Sequence, residues 1–195
     1  MARKKTITRD QILNAAYEVV AKEGFSRFTA RNIAAKMKCS TQPIYLEFKN
    51  MDELKKVLVK EIITKLSTKL LHKEVTGNKL IDLGINYIEF ASEEKQLYKA
   101  LYLEGETEMA ELEEYSYDYF YDGVIKGTEY EELSNEKLVS LYTGFWIVVS
   151  GVAALTSSSI ITPSREETIE LLEDSFDMMK TQNRPVDLSF KTLRP

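Results

Sequence analysis

With 195 residues, of which 44% are hydrophobic, the chain is long enough for one globular domain of usual size plus a smaller one. Its single cysteine, Cys39, excludes an intramolecular disulfide framework and the ligand spacing of a zinc finger. The net charge of −5 hides an asymmetry: residues 1–60 hold 13 Lys/Arg against 6 Asp/Glu, and residues 61–195 hold 13 against 25. An acidic chain with a basic first third carries the electrostatic footprint that phosphate neutralisation requires, which the overall pI of about 5.2 conceals.

The polar start, Met1 to Lys5, contains no hydrophobic signal segment, so the expected compartment is the cytoplasm. A first helix is announced by Thr8 as N-cap with Gln11 three residues on, a capping box, and by Ile7 and Ile12 at the positions of a hydrophobic staple. Ile12, Leu13, Ala16, Val19 and Val20 then follow a helical stripe that Gly24 stops. A second helix starts at Thr29 and runs through Ile33, Ala34 and Met37. Lys38-Cys39-Ser40 forms a turn, and a third helix follows with Pro43 in its first turn, where a missing N–H leaves nothing unbonded. Asn50 caps a fourth helix with Glu53 at the capping-box position, and Leu54, Val57, Leu58, Ile62 and Leu66 carry that helix onward. Two short helices around a tight turn in a basic neighbourhood are the shape of a DNA-reading helix-turn-helix, whose second helix enters the major groove.

Beyond Lys60 the pattern stays helical, over 78–91, 93–103, about 109–125, 135–158 and 165–180, with no period-two alternation of any length. The expected fold class is therefore all-α: an N-terminal three-helix DNA-binding domain over 1–50, then a helical effector-binding and dimerisation domain over 51–195. Leu138 to Ser164 contains no charged residue, but its strictly apolar part is broken at Ser150 and Gly151. This suits a helix buried in protein better than one spanning a membrane, and no membrane partner is expected.

Residues 8–60 resemble the DNA-binding domain of the TetR family of bacterial transcriptional repressors. The resemblance rests on ILNAAYEVVAKEGF, FTARNIAAKM and STQPIYLEFKNMDEL in the family's order and spacing, and FASEEKQLYKALYLEG (90–105) resembles a recurrent C-terminal piece of the family. Two residues depart from the pattern. Lys38 stands where the family usually has Gly, which asks for a different turn geometry or a strained φ. Glu47 stands where His or another polar residue is usual; it points along the protein surface or selects a cytosine amino group.

Within that match, Thr29 can offer its hydroxyl and backbone donors to a phosphate, and Arg31 can reach a guanine edge or a phosphate. Ser40, Thr41 and Gln42 open the third helix and are the expected base readers. Tyr45 resembles the family's phosphate-binding tyrosine and Lys49 its phosphate-binding lysine; their alternatives are packing against the first helix and a solvated charge. Arg3, Lys4, Lys5 and Arg9 form a basic arm that tracks the backbone or the minor groove, or is disordered. Cys39 is a redox-sensing turn thiol or, as the family pattern implies, a spacer under the turn.

Catalysis finds no parts: the single histidine, His72, has no cysteine or second histidine beside it, so no enzyme, metal site or cofactor is expected. Aromatic residues are abundant instead. Tyr87, Phe90, Tyr98, Tyr102, Phe120, Tyr121, Phe145 and Trp146 are the expected ligand-binding residues, the alternative for each being plain core. With Glu104, Glu106 and Glu108 nearby, they suit an aromatic or cationic amphipathic effector. The resemblance also implies a homodimer formed by the last two long helices, in which Gly144, Gly151, Ala153 and Ala154 allow close approach. Leu155, Ile169, Leu172, Phe176 and Met179 would supply apolar contact there. The expected function is a ligand-responsive repressor that binds a palindromic operator in double-stranded DNA as a homodimer and is released by a small-molecule effector. The alternative is a DNA-binding protein of the same type controlled by a protein partner.

Overall fold

The computed structural model describes residues 7–71, 73–103, 117 and 120–181, the side chains of 69–71 and 181 excepted. Every regular element among them is helical. In chain order these are α1 (Arg9–Glu23), a 3-10 turn at Phe25–Arg27, α2 (Ala30–Lys36), α3 (Gln42–Glu47), α4 (Met51–Leu71), α5 (Lys79–Glu93) and α6 (Lys95–Tyr98). The last of these continues as a π turn over Lys99–Leu103. A second π turn at Tyr121–Ile125 and a 3-10 turn at Glu129–Glu132 precede the two long helices α7 (Asn135–Ser157) and α8 (Arg165–Thr181). The chain divides into two compact units, one made of Met1–Leu66 with Gln96–Glu108, the other of Ser67–Lys95 with Met109–Pro195.

Local chemistry sets the helix ends of the first unit. The Gln11 N–H donates to Thr8 Oγ1 at 3.3 Å and the Thr8 N–H to Gln11 Oε1 at 3.1 Å, so the expected capping box is present. Gly24 ends α1 with φ +77°, in the region where a Cβ is costly. Ile12, Ala16, Val19 and Val20 of α1 meet Ile33 and Ala34 of α2 and Ile44 of α3 in a core from which water is excluded, each at most 3% exposed. Phe48 and Leu54, just before and inside α4, belong to the same buried set.

The turn between α2 and α3 shows how Lys38 is accommodated. The Cys39 N–H donates to Ala34 O at 3.0 Å and the Lys38 N–H to Ala35 O at 3.1 Å, which is the Schellman pattern of helix termination. Lys38 occupies its left-handed position with φ +53°. Of the two alternatives the sequence left open, a different turn geometry or a strained φ, this chain adopts the strained φ, at a cost of about 1 kcal/mol relative to glycine. Lys38→Gly is therefore expected to raise unfolding stability by about 1 kcal/mol, read as a higher urea midpoint at unchanged m-value. A lowered midpoint would show that the lysine side chain contributes more than its backbone costs.

In the second unit α5 packs most extensively against α7, and α8 covers both. Gly84 is where α5 comes close to its neighbours: a Cβ there would lie 2.9 Å from Leu172 Cδ1 and 3.3 Å from Val149 Cγ2. At Gly144, facing α8, a Cβ would lie 2.5 Å from Met179 Sδ. α7 is also the one described helix with the length and apolarity of a membrane span, and half of its most apolar stretch is buried inside the protein.

A polar row on α5 fastens the segment that leads into it. Asp82, Asn86 and Glu89 are spaced four and three residues apart, so they lie on one strip of the helix. Asp82 Oδ1 accepts from the N–H and the hydroxyl of Thr76, both at 2.7 Å, and Asn86 Nδ2 donates to Lys73 O at 2.8 Å. The Glu89 carboxylate accepts from Lys73 and from Arg165 of α8. Burial raises the Glu89 carboxyl pKa, but the hydrogen bonds and charges of Lys73 and Arg165 outweigh that effect and hold it below the usual carboxylate range.

Candidate nucleic-acid interface

The outward face of α3 follows from its inward one. Ile44 is fully buried and Phe48, one turn later, is 1% exposed, so they define the side facing the core. Gln42, Tyr45, Leu46 and Glu47 are exposed, and Thr41 and Pro43 are half-buried. Leu46 and Gln42 each lie two residues from Ile44, on opposite sides of it in sequence and about 200° around the helix, which leaves them about 40° apart on the outermost strip. Tyr45 and Glu47 stand about 100° to either side of Leu46.

Each residue expected to meet DNA can now be placed. Thr29 is the N-cap of α2 and its Oγ1 accepts from the Asn32 N–H at 3.2 Å, while its own N–H already donates to Arg27 O at 2.9 Å. Its remaining capacity toward a phosphate is the hydroxyl hydrogen, beside the N–H groups of the first turn. Arg31 is exposed in that turn. Ser40 is exposed, and Thr41 is the N-cap of α3 without using its side chain for the cap, so both hydroxyls stand at the start of the helix. Tyr45 is 53% exposed.

Lys49 is exposed at the α3–α4 junction, where its N–H donates to Glu53 Oε2 at 2.7 Å. Glu53 in turn donates its N–H to Asn50 Oδ1 at 2.8 Å. The cap of α4 thus differs from the expected box: the Glu53 carboxylate reaches one residue further back, to Lys49 instead of Asn50, and so fixes the backbone that carries this lysine.

Charge around the face is unevenly neutralised. Lys36 pairs with Glu18 at 2.8 Å and Arg27 with Glu23 at 3.4 Å, whereas Arg31, Lys38 and Lys49 form no ion pair among the described residues. Arg9 of the expected basic arm starts α1 with its guanidinium 4.5 Å from the Phe48 ring centroid, a cation–π contact. Arg3, Lys4 and Lys5 lie outside the described residues. Cys39 is half-buried and its thiol donates to Ser40 O at 3.1 Å.

Leu46 was not among the expected contacts. The signal that would have found it is its position opposite Ile44 on the helical wheel, which a motif comparison passes over because it weighs residue types and not the face they occupy.

The expected ligand-binding residues fall into two groups. Tyr98 and Tyr102 stack on each other with centroids 5.6 Å apart, in the Gln96–Glu108 segment of the first unit. Tyr87, Phe90, Phe120, Tyr121, Phe145 and Trp146 belong to the second unit. There Tyr87 meets Trp146 edge-on at 5.2 Å, and Phe145 touches Phe120, Trp146 and Phe176 at 5.3–5.5 Å. Tyr87, Phe90, Tyr98, Phe120 and Phe145 are buried, and Tyr102, Tyr121 and Trp146 are half-buried. Within this cluster Trp146 Nε1 and Thr143 Oγ1 are buried without a hydrogen-bond partner among the described residues. Glu104, Glu106, Glu108 and His72 lie outside the described residues. Of the side chains expected between subunits, Gly144, Ala153, Leu172 and Phe176 are instead buried within the chain, because α7 and α8 pack against each other there; Gly151 and Leu155 remain exposed.

Comparison with known proteins agrees with this geometry. Residues 12–57, from within α1 to within α4, match the family model of the bacterial regulatory proteins of the tetR family. No curated protein matches the chain. Among solved structures, a TetR-family transcriptional regulator from Vibrio parahaemolyticus is similar at a TM-score of 0.60 and 17% identity, over 87% of this chain and 97% of that one. A TetR-family regulator from Haemophilus influenzae gives 0.54 and 17% over 86% and 93%. The fatty acid degradation regulator FadR from Bacillus halodurans gives 0.51 and 16% over 95% and 100%. At these identities the structures share the fold, while the family match falls on the helix-turn-helix and the helices that hold it. The exposed strip of α3 and the matched 12–57 segment converge on one assignment: residues 12–57 form a helix-turn-helix similar to that of the bacterial regulatory proteins of the tetR family, in a chain that shares its fold with TetR-family transcriptional regulators.

Proposed function

We propose that the chain is a homodimeric repressor that reads a palindromic operator with the outward strip of α3 and is released by a small-molecule effector. The observation that carries the DNA-reading part is the strip itself, set opposite a fully buried Ile44 and accompanied by Arg31, Lys38 and Lys49, which form no ion pair among the described residues. Gln42, Ser40 and Thr41 contact base edges, Tyr45 and Lys49 hold phosphates, and Thr29 with Arg31 engages the backbone from α2. The homodimer is supported by Ile147 and Leu155 on α7 and Leu171 and Met178 on α8, large apolar side chains 40–61% exposed on the chain alone. That face and the buried half of α7 together account for its apolar length, and we assign the protein to the cytoplasm with no membrane partner.

The effector-binding part is supported by the aromatic cluster around Trp146 and Phe145 with its two orphaned polar atoms. A buried polar group without a partner is uncommon in a native core, and a ligand acceptor would satisfy it. An aromatic or cationic amphipathic molecule suits rings of this kind.

Selection from random duplex DNA tests the first part: a sequence with two-fold symmetry is expected, and enrichment of nothing over scrambled duplex would overturn it. On the selected duplex, Tyr45→Phe and Lys49→Ala should weaken binding to every sequence alike, with the log–log salt slope falling by about 1 for the lysine. Gln42→Ala should change which bases are preferred. Uniform loss from all three changes would refute that division of roles. A compound that raises the melting temperature of the free protein yet leaves operator affinity unchanged would argue against release by that ligand.

A further inference from the structure

Leu46 is 76% exposed, more than any other large hydrophobic side chain among the described residues. A single exposed leucine on a surface needs no explanation. This one, however, forms the crest of the outward strip of α3, beside Gln42 and between Tyr45 and Glu47. A helix about 10–12 Å across fills a major groove about 12 Å wide. Its outermost residues then come nearest the groove floor, while those about 100° to either side approach the walls where the phosphates lie. Leucine offers no donor or acceptor, so it cannot read a base edge by hydrogen bonding. The apolar feature of the groove floor is the thymine 5-methyl group.

We propose that Leu46 reads a thymine 5-methyl in each half-site, next to the base contacted by Gln42. The proposal rests on the reading that α3 lies in the major groove, and it adds a specificity determinant that works by excluding water. The half-exposed Tyr45 stays at a shoulder of the strip and Lys49 follows α3 at the α3–α4 junction, and phosphate contacts made from there carry no sequence information. Removing one methyl–leucine contact should lower affinity about 3- to 10-fold per half-site, the scale of burying one methyl group on each partner.

The test replaces each thymine of the selected duplex in turn by deoxyuridine, which deletes the methyl and keeps every pairing edge. Binding is measured for the full-length wild type, Leu46→Ala and Leu46→Gln. The wild type is expected to lose affinity at one thymine position per half-site. Leu46→Ala is expected to bind the thymine and uracil duplexes equally at that position, and Leu46→Gln to prefer a base pair with a hydrogen-bonding edge there. Because the side chain is exposed, neither change threatens the fold. A flat uracil scan in a wild type that binds its operator would overturn the role of Leu46 while leaving DNA reading intact, as would a uracil penalty that persists in Leu46→Ala. Failure of the wild type to bind any selected duplex would bring down the underlying reading as well.

Discussion

Ile147→Asp combined with Leu155→Asp is expected to yield a folded monomer whose affinity for a two-half-site duplex is lower by about 10²- to 10⁴-fold, the gain that coupling two binding events confers. The two residues sit eight positions apart on α7, 48% and 40% exposed, with the exposed Gly151 midway between them. A Cβ added at Gly151 meets nothing within 4 Å, so this strip faces open space on the single chain, unlike Gly144, which is closed off by Met179. A second copy brought against the strip by a two-fold axis would set the introduced carboxylates near their own symmetry mates, where desolvation and like-charge repulsion act together. Neither substitution touches the core, so the helical content should survive. Sedimentation gives the mass, and fluorescence anisotropy on half-site and full duplexes gives the affinities. The half-site affinity should not change, and a double variant that remains dimeric would place the interface elsewhere.

Phe145→Ala should cost about 3–5 kcal/mol of unfolding free energy, the range for removing a buried aromatic ring. Phe145 is fully buried and touches Phe120, Trp146 and Phe176, so it joins the residue that opens the π turn at 121–125 to α7 and α8 through one side chain. These contacts hold separate elements in place, and a cavity at their meeting point cannot be closed by one neighbour moving alone. Phe145→Leu, which keeps most of the volume, should cost less than about 1.5 kcal/mol. Urea unfolding of the two variants separates the cases. Similar small losses would mean that the cluster collapses around the missing ring, and that the site is looser than its close ring contacts imply.

Most of the first unit was legible in the sequence because its helix ends are set by neighbours in the chain. Thr8 with Gln11, Gly24 and Thr29 each act within three or four residues, and each caps where its residue type suggested. Lys38 was legible only as a departure: the sequence left a different turn geometry or a strained φ open, and the Schellman bonds of the turn settle on the strained φ. What escaped depends on partners distant in sequence or on the direction of a face. Glu53 bonding to Lys49 shifts a familiar motif by one residue. The π turns at 99–103 and 121–125 carry no composition that separates them from ordinary helix. Leu172 and Phe176 looked like interface residues because an apolar strip does not reveal which of two surfaces it meets. Gly84 and the α5 row of Asp82, Asn86 and Glu89 acquire their meaning only when α7, α8 and the connector are in place. On the outward strip of α3, Gln42 announced itself by type, whereas Leu46 could be found only by orientation.

The row on α5 bears on how faithfully a signal could travel along the chain. A free connector would absorb a small displacement of α5 by rearranging itself, so that motion at one end would reach the other as noise. Here the connector is fastened at Lys73 and Thr76 to three side chains of a single helix strip, and Arg165 of α8 grips the same carboxylate as Lys73. These bonds tie the backbone at residue 73 directly to α5. Lys73 and Arg165 each hold a different oxygen of the Glu89 carboxylate, so the ties of the connector and of α8 to α5 meet at one glutamate.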